Sequence, residues 1–120
     1  MFVEHKEVGE EQKVGMSKPS CALRLGAMIR PQGREAWFVE GRSCALGAIS
    51  EALFGDTRTD GDRLYARFPE LTKKDFAPPV PLPERWSGGR HEIASCMTYL
   101  NDKCGWSREQ IADWLESQGY

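Results

Sequence analysis

Four cysteines and two histidines are the side chains in this sequence best suited to metal or nucleophilic chemistry, and their spacing assembles neither. Zinc sites draw on closely paired thiolates and imidazoles. Cys21, Cys44, Cys96 and Cys104 lie 23, 52 and 8 residues apart, none has a C-x-x-C partner, and only His91 is near any of them. A folded cluster of His91, Cys96 and Cys104 is the one arrangement to weigh against ordinary burial of small thiols, and burial is the stronger reading. A catalytic thiol needs a base and an orienting group. One of the two histidines falls in the N-terminal segment, so the choice of base is narrow. No catalytic residue, metal site or cofactor is assigned.

Other constellations fail on position. Asp56, Asp60 and Asp62 suggest a calcium loop, but counting from Asp56 the third and twelfth places hold Arg58 and Arg67, where an EF-hand needs oxygen ligands. The segment APPVPLPER has valine at position 80, where a P-x-x-P-x-R frame ending at Arg85 requires proline. Walker, G-x-G-x-x-G, H-E-x-x-H and G-x-S-x-G signatures are absent. The candidate binding residues are Trp37, Arg42, Asn101, Asp102 and Trp106. Asn101 and Asp102 also have a structural explanation, because both residue types bond nearby backbone amides in the turn between two helices.

The elements that must position these residues are written mainly in a helical period. Ser20 reads as the N-cap of a first helix whose buried stripe is Leu25, Met28 and Ile29, with Pro31 ending it. After a turn around Gly33, residues 36–40 (AWFVE) read as a strand or extended segment. Ser43 reads as the cap of a second helix with Leu46, Ile49 and Leu53 on one stripe and Gly55 in left-handed C-terminal position. Gly47, inside that helix, implies that another backbone packs closely there. The tetrapeptide Ser-Cys-Ala-Leu opens both helices, at 20–23 and 43–46, which we attribute to coincidence or to shared serine capping.

A short helix is expected at 62–68. Residues 77–89 hold four prolines and two glycines and read as a strap pinned by Val80, Leu82 and Trp86. Ile93, Met97 and Leu100 mark the next helix, which ends around Asn101 and Asp102. The last helix is the most explicit: Ser107 and Gln110 form a capping box, Trp106 and Ile111 a hydrophobic staple, and Ile111, Trp114 and Leu115 a buried stripe before Gly119. The fold class predicted is mainly α: a small single-domain bundle of four to five short helices with a short extended segment or hairpin. Residues 1–19 are expected to form a mobile arm and 20–120 the domain.

Composition sets limits on function. The chain has 120 residues, enough for one core, and 16 basic against 18 acidic residues argue against both a duplex-wide basic footprint and an acidic mimic of DNA. No apolar run approaches the roughly 18 residues of a membrane span, and the first fifteen residues lack an export-type apolar stretch, so a cytoplasmic protein with reduced thiols is expected. The stretch WSREQIADWLESQGY is like the first helix of a helix-turn-helix, with no recognition helix after it.

Trp37, Gly41, Cys44, Leu46, Gly47 and Ala48, followed by Asn101 and Asp102 with Trp106 to Leu115 behind them, give the chain a family likeness over about residues 20–118. It resembles a family of small proteins of bacteria and their phages. That family is marked by a tryptophan and glycine before a C-x-L-G-A helix and by an N-D dipeptide before the last helix. The strap and the N-terminal arm depart from the pattern. The resemblance implies a fold and a phage or mobile-element setting, and no activity.

The leading expectation is therefore a non-enzymatic protein that binds a host protein, for example as an inhibitor of a defence system, with tryptophans at the interface. One alternative is an enzyme or small-ligand binder with a pocket near Cys44, Asn101 and Asp102. The other is a nucleic-acid module built on the last helix, which the neutral charge balance disfavours.

Overall fold

The computed structural model describes residues 16–85 and 91–120. Among these, five α-helices surround one apolar core: α1 (Pro19–Ala27), α2 (Ala45–Phe54), α3 (Gly61–Arg67), α4 (Ile93–Asp102) and α5 (Arg108–Ser117). A two-stranded antiparallel hairpin, β1 (Phe38–Val39) and β2 (Arg42–Ser43), precedes α2, and a 3₁₀ turn (Pro69–Thr72) follows α3. The mainly helical, single-domain expectation holds. Residues 1–15 of the expected arm lie outside the described residues, as do Trp86 and the end of the strap.

Helix α1 is the centre of the packing, lying against both α2 and α5. It begins at Pro19, whose missing N–H and fixed φ suit the first helical position, so Ser20 lies inside the helix and Lys18 is the N-cap without a side-chain bond. The Ser20 hydroxyl is buried and has no partner among the described residues. The buried face of α1 is Pro19, Ser20, Ala22, Leu23 and Gly26. Leu25, Met28 and Ile29, expected inside, are 37%, 83% and 51% exposed. The correction has a steric origin. A methyl group built at Gly26 would lie 2.9 Å from Ala48 Cα and closer still to the Ala48 carbonyl, so α1 meets α2 through its small residues, a face that a search for large apolar side chains passes over.

Helix α2 is held from its other side as well. A Cβ at Gly47 would lie 2.9 Å from the Trp37 carbonyl carbon, which is the close backbone approach expected from that glycine. The N-cap of α2 is Cys44, not Ser43: its Sγ accepts from Gly47 N at 3.4 Å. Ser43 is still in the strand, where its backbone bonds Pro31 O and Gly33 N, and its hydroxyl serves another partner. The two Ser-Cys-Ala-Leu copies therefore share no serine capping. Gly55 ends α2 at φ 72°, as expected. The hairpin turns through Glu40 and Gly41 at φ 50° and 75°, the left-handed pair a two-residue turn requires.

The remaining elements close the core. Asp60 caps α3 by accepting from Arg63 N, and Pro69 stops that helix and turns Phe68 and Leu71 inward. Ile93, Met97 and Leu100 are buried along α4 as the stripe predicts. Both bonds of the Ser107–Gln110 capping box are present on α5. At its end, Gly119 at φ 90° lets Gly119 N and Tyr120 N reach Glu116 O and Leu115 O, a Schellman closure. Val80 and Leu82 of the strap pack on the core, and Ala77 O accepts from the Trp114 indole at 3.1 Å.

Candidate functional site

Of the five candidate residues, Asn101 is the most constrained. It sits in the last turn of α4 and is fully buried. Its Oδ1 accepts from Gln32 Nε2 at 2.8 Å and from Ala45 N at 3.2 Å; its Nδ2 donates to Gly33 O at 2.9 Å and Asp102 Oδ1 at 2.7 Å. These use the two acceptor and two donor positions of an amide. Ala45 N is one of the orphan amides that open α2, so Asn101 caps a helix 56 residues away in sequence, not the neighbouring turn.

Gln32 extends the network by donating to Trp106 O and accepting from Arg108 N. Trp106 thus touches the hub through its backbone, and its ring packs half-buried on the core. Arg42 is exposed and donates to Gln32 O at 3.3 Å. Trp37 is half-buried on the core, and its carbonyl accepts from Cys44 N. The structure brings Asn101, Asp102, Trp106 and Arg42 around the loop at Gln32 and Gly33, as scaffolding bonds.

Arg108 completes this knot and was not anticipated in that role. Only 7% exposed, its guanidinium donates to Ser43 Oγ at 2.9 Å, Arg30 O at 2.7 Å, and Ser43 O and Ala27 O at 3.4 Å. The Ala27 carbonyl belongs to the open C-terminal end of α1 and Arg30 O lies just beyond it, so a cation fixed on α5 satisfies that end and its dipole. Burial pushes the Arg108 pKa down. It is not placed to meet a phosphate. The exposed ridge of α5 carries Glu109, Asp113 and Glu116, all bonded to Arg24 of α1. An acidic ridge opposes nucleic acid, which counts against α5 as a DNA-reading helix.

The thiols are dispersed. Burial, with Asp102 adding, pushes the Cys44 thiol up, and burial with Cys104 nearby pushes Cys96 up to about 12, so both are held protonated and poorly nucleophilic. His91 instead contacts Pro83 O through Nε2 at 3.0 Å. Among the described residues no group of three His, Cys, Asp or Glu side chains could hold a metal ion. No helix among them is long and apolar enough to cross a membrane.

Two surface features among the described residues bear on binding. The three tryptophans among the described residues do not form the exposed patch expected of an interface: Trp114 is buried edge-on to Phe76, and Trp37 and Trp106 lean on the core. Apart from Val39 of β1, the exposed large apolar side chains of the described residues lie on α1 and just after it, where Leu25, Met28 and Ile29, with Met16 and Ala52, line an open groove of about 270 Å³. A second recess, about 250 Å³, is lined by Trp37, Leu46, Tyr65, Glu92, Ala94, Ser95 and Thr98. Cys44, Asn101 and Asp102 are not among its walls, although Thr98 and Asp102 are one helical turn apart. No residue spacing announced either feature, since each depends on how α1 and α4 are turned. Compared with protein-family models, curated proteins and solved structures, the chain matches none.

Proposed function

We propose that this chain is a non-enzymatic binding protein that contacts another protein through the apolar face at the end of α1. One observation carries this reading: Met28 and Ile29 stand in solvent beside the half-open Leu25, around a groove also lined by Met16 and Ala52. Leaving large apolar side chains exposed costs about 1.5–3 kcal/mol each relative to burial. Single exposed hydrophobes are ordinary, whereas a contiguous group around a groove is the mark of a docking surface. The protonated Cys44 and Cys96 thiols and the fully bonded Asn101 leave little for catalysis in the region where chemistry was sought. The family resemblance supplies the setting, a phage or mobile element, and with it a host protein as the partner.

The test pairs the parent chain with a Met28→Glu, Ile29→Glu variant. Both positions follow the last residue of α1 and are solvent-facing, so the variant should melt within a few degrees of the parent. Immobilised parent should retain one stoichiometric protein from host lysate, and the variant should not. Retention of nothing by the parent, or equal retention by both, would defeat the proposal.

A further inference from the structure

Independently of that face, we propose that the recess between the entry to β1 and helices α2, α3 and α4 is a binding site for a small primary ammonium ion. The walls are two half-buried aromatic side chains, Trp37 and Tyr65, the apolar Leu46 and Ala94, and the polar Glu92, Ser95 and Thr98. Among the described wall residues Glu92 alone carries a formal charge. It is the N-cap residue of α4, yet its side chain makes no capping bond, and it has no ion-pair partner among the described residues. A carboxylate left out of both roles, beside aromatic faces that attract cations, sets the sign of the ligand. Tyr65 records the same field, since its phenol is pushed up by burial and then by Glu92 and Cys44.

The hydrogen-bonding inventory narrows the class. Thr98 Oγ1 already donates to Ala94 O at 3.1 Å, so it offers the recess lone pairs only. Glu92 likewise accepts and cannot donate as a carboxylate. The Trp37 indole and the Tyr65 hydroxyl can donate, but Glu92 sets the charge, and a primary ammonium brings N–H donors to both Glu92 and Thr98 Oγ1, which a carboxylate does not. A volume of about 250 Å³ lies below the roughly 300–1,000 Å³ of drug-sized sites, and since about 150 Å³ holds benzene it limits the ligand to about ten non-hydrogen atoms.

The experiment is a heteronuclear NMR titration of the full chain with propylammonium chloride, with uncharged propanol as control and ionic strength held by sodium chloride. Propylammonium should give saturable shifts at the Trp37 indole N–H and at residues 92–98, with a millimolar dissociation constant, and propanol should give none. Glu92→Gln removes no capping bond, so it should keep the parent melting temperature while weakening propylammonium at least about tenfold. Three results would overturn the assignment: no saturation by about 100 mM, equal shifts from propanol, or a folded Glu92→Gln variant that titrates like the parent. The Met28→Glu, Ile29→Glu variant should bind propylammonium normally, which separates this site from the apolar face.

Discussion

Replacing Gly26 by alanine tests the packing of the molecule where two opposing effects can be weighed. In an exposed helix interior, alanine is favoured over glycine by about 1 kcal/mol. At Gly26 the added methyl would lie 2.9 Å from Ala48 Cα and closer still to the Ala48 carbonyl. Both obstacles are backbone atoms of α2 and cannot rotate away. The helices must part by roughly 1 Å, and a gap of that size forfeits about a quarter to a half of the dispersion energy across the Ala22, Leu23 and Ala48 contact. Overpacking of this kind costs about 1–3 kcal/mol, more where backbone must move. With backbone atoms as the obstacles the upper part of that range applies, and after subtracting the gain of about 1 kcal/mol from alanine the net destabilisation is about 1–2 kcal/mol, which at this chain length lowers the melting temperature by roughly 4–8 °C. Thermal melts followed by circular dichroism give the answer. Gly61→Ala is the control, because its only close neighbour is the Tyr65 ring at 3.3 Å, which can yield; it should change stability by less than about 0.5 kcal/mol. A Gly26→Ala protein as stable as the parent, or more so, would refute the close approach of α1 to α2.

Asn101→Leu should destabilise by about 2–4 kcal/mol in urea unfolding, because it leaves Ala45 N and Gly33 O buried and unbonded; a loss under about 0.5 kcal/mol would show the hub to be dispensable. Arg63, with Arg58 N, holds the Asp56 carboxyl down at about 2. A depressed folded-state pKa means that its stabilisation is complete above the unfolded value and is lost as acid is added. The parent should therefore lose melting temperature between about pH 4 and pH 2 more steeply than Asp56→Asn, and parallel curves would exclude the pair. In thiol titration of the native protein, exposed Cys104 should react first, while Cys44 and Cys96 should wait for unfolding, their thiols buried and pushed up; prompt labelling of all four would contradict the burial described.

What the sequence revealed and what it hid divide along physical lines. Signals confined to one turn were legible: the Ser107–Gln110 box, the left-handed Gly55 and the Gly119 closure all depend on neighbours within five residues. Gly47 was readable because a glycine inside an apolar helix has few reasons to be there. The face of α1 was misread because its interior is made of Ala22, Leu23 and Gly26, and small side chains leave a weak periodic signal beside Leu25, Met28 and Ile29. The cap of α2 was displaced by one residue because Ser43, the better capping type, is taken by Arg108, and the weaker acceptor Cys44 takes the role. The roles of Asn101 and Arg108 were beyond reach, since their partners lie 56 to 81 residues away. The apolar groove and the Trp37–Tyr65–Glu92 recess are likewise products of helix orientation.

The pairing of α1 with α5 bears on how the protein is made. Arg24 reaches Glu109, Asp113 and Glu116, and Ser20 N donates to Tyr120 O at 3.0 Å. On the ribosome, α1 emerges long before the helix that covers it and satisfies its carbonyls. Its face toward α2 has a partner soon afterwards, but the face toward α5 must wait for almost the whole domain to be translated. Such distant contacts slow folding and make it all-or-none, so a nascent chain stalled before Arg108 should be protease-sensitive throughout.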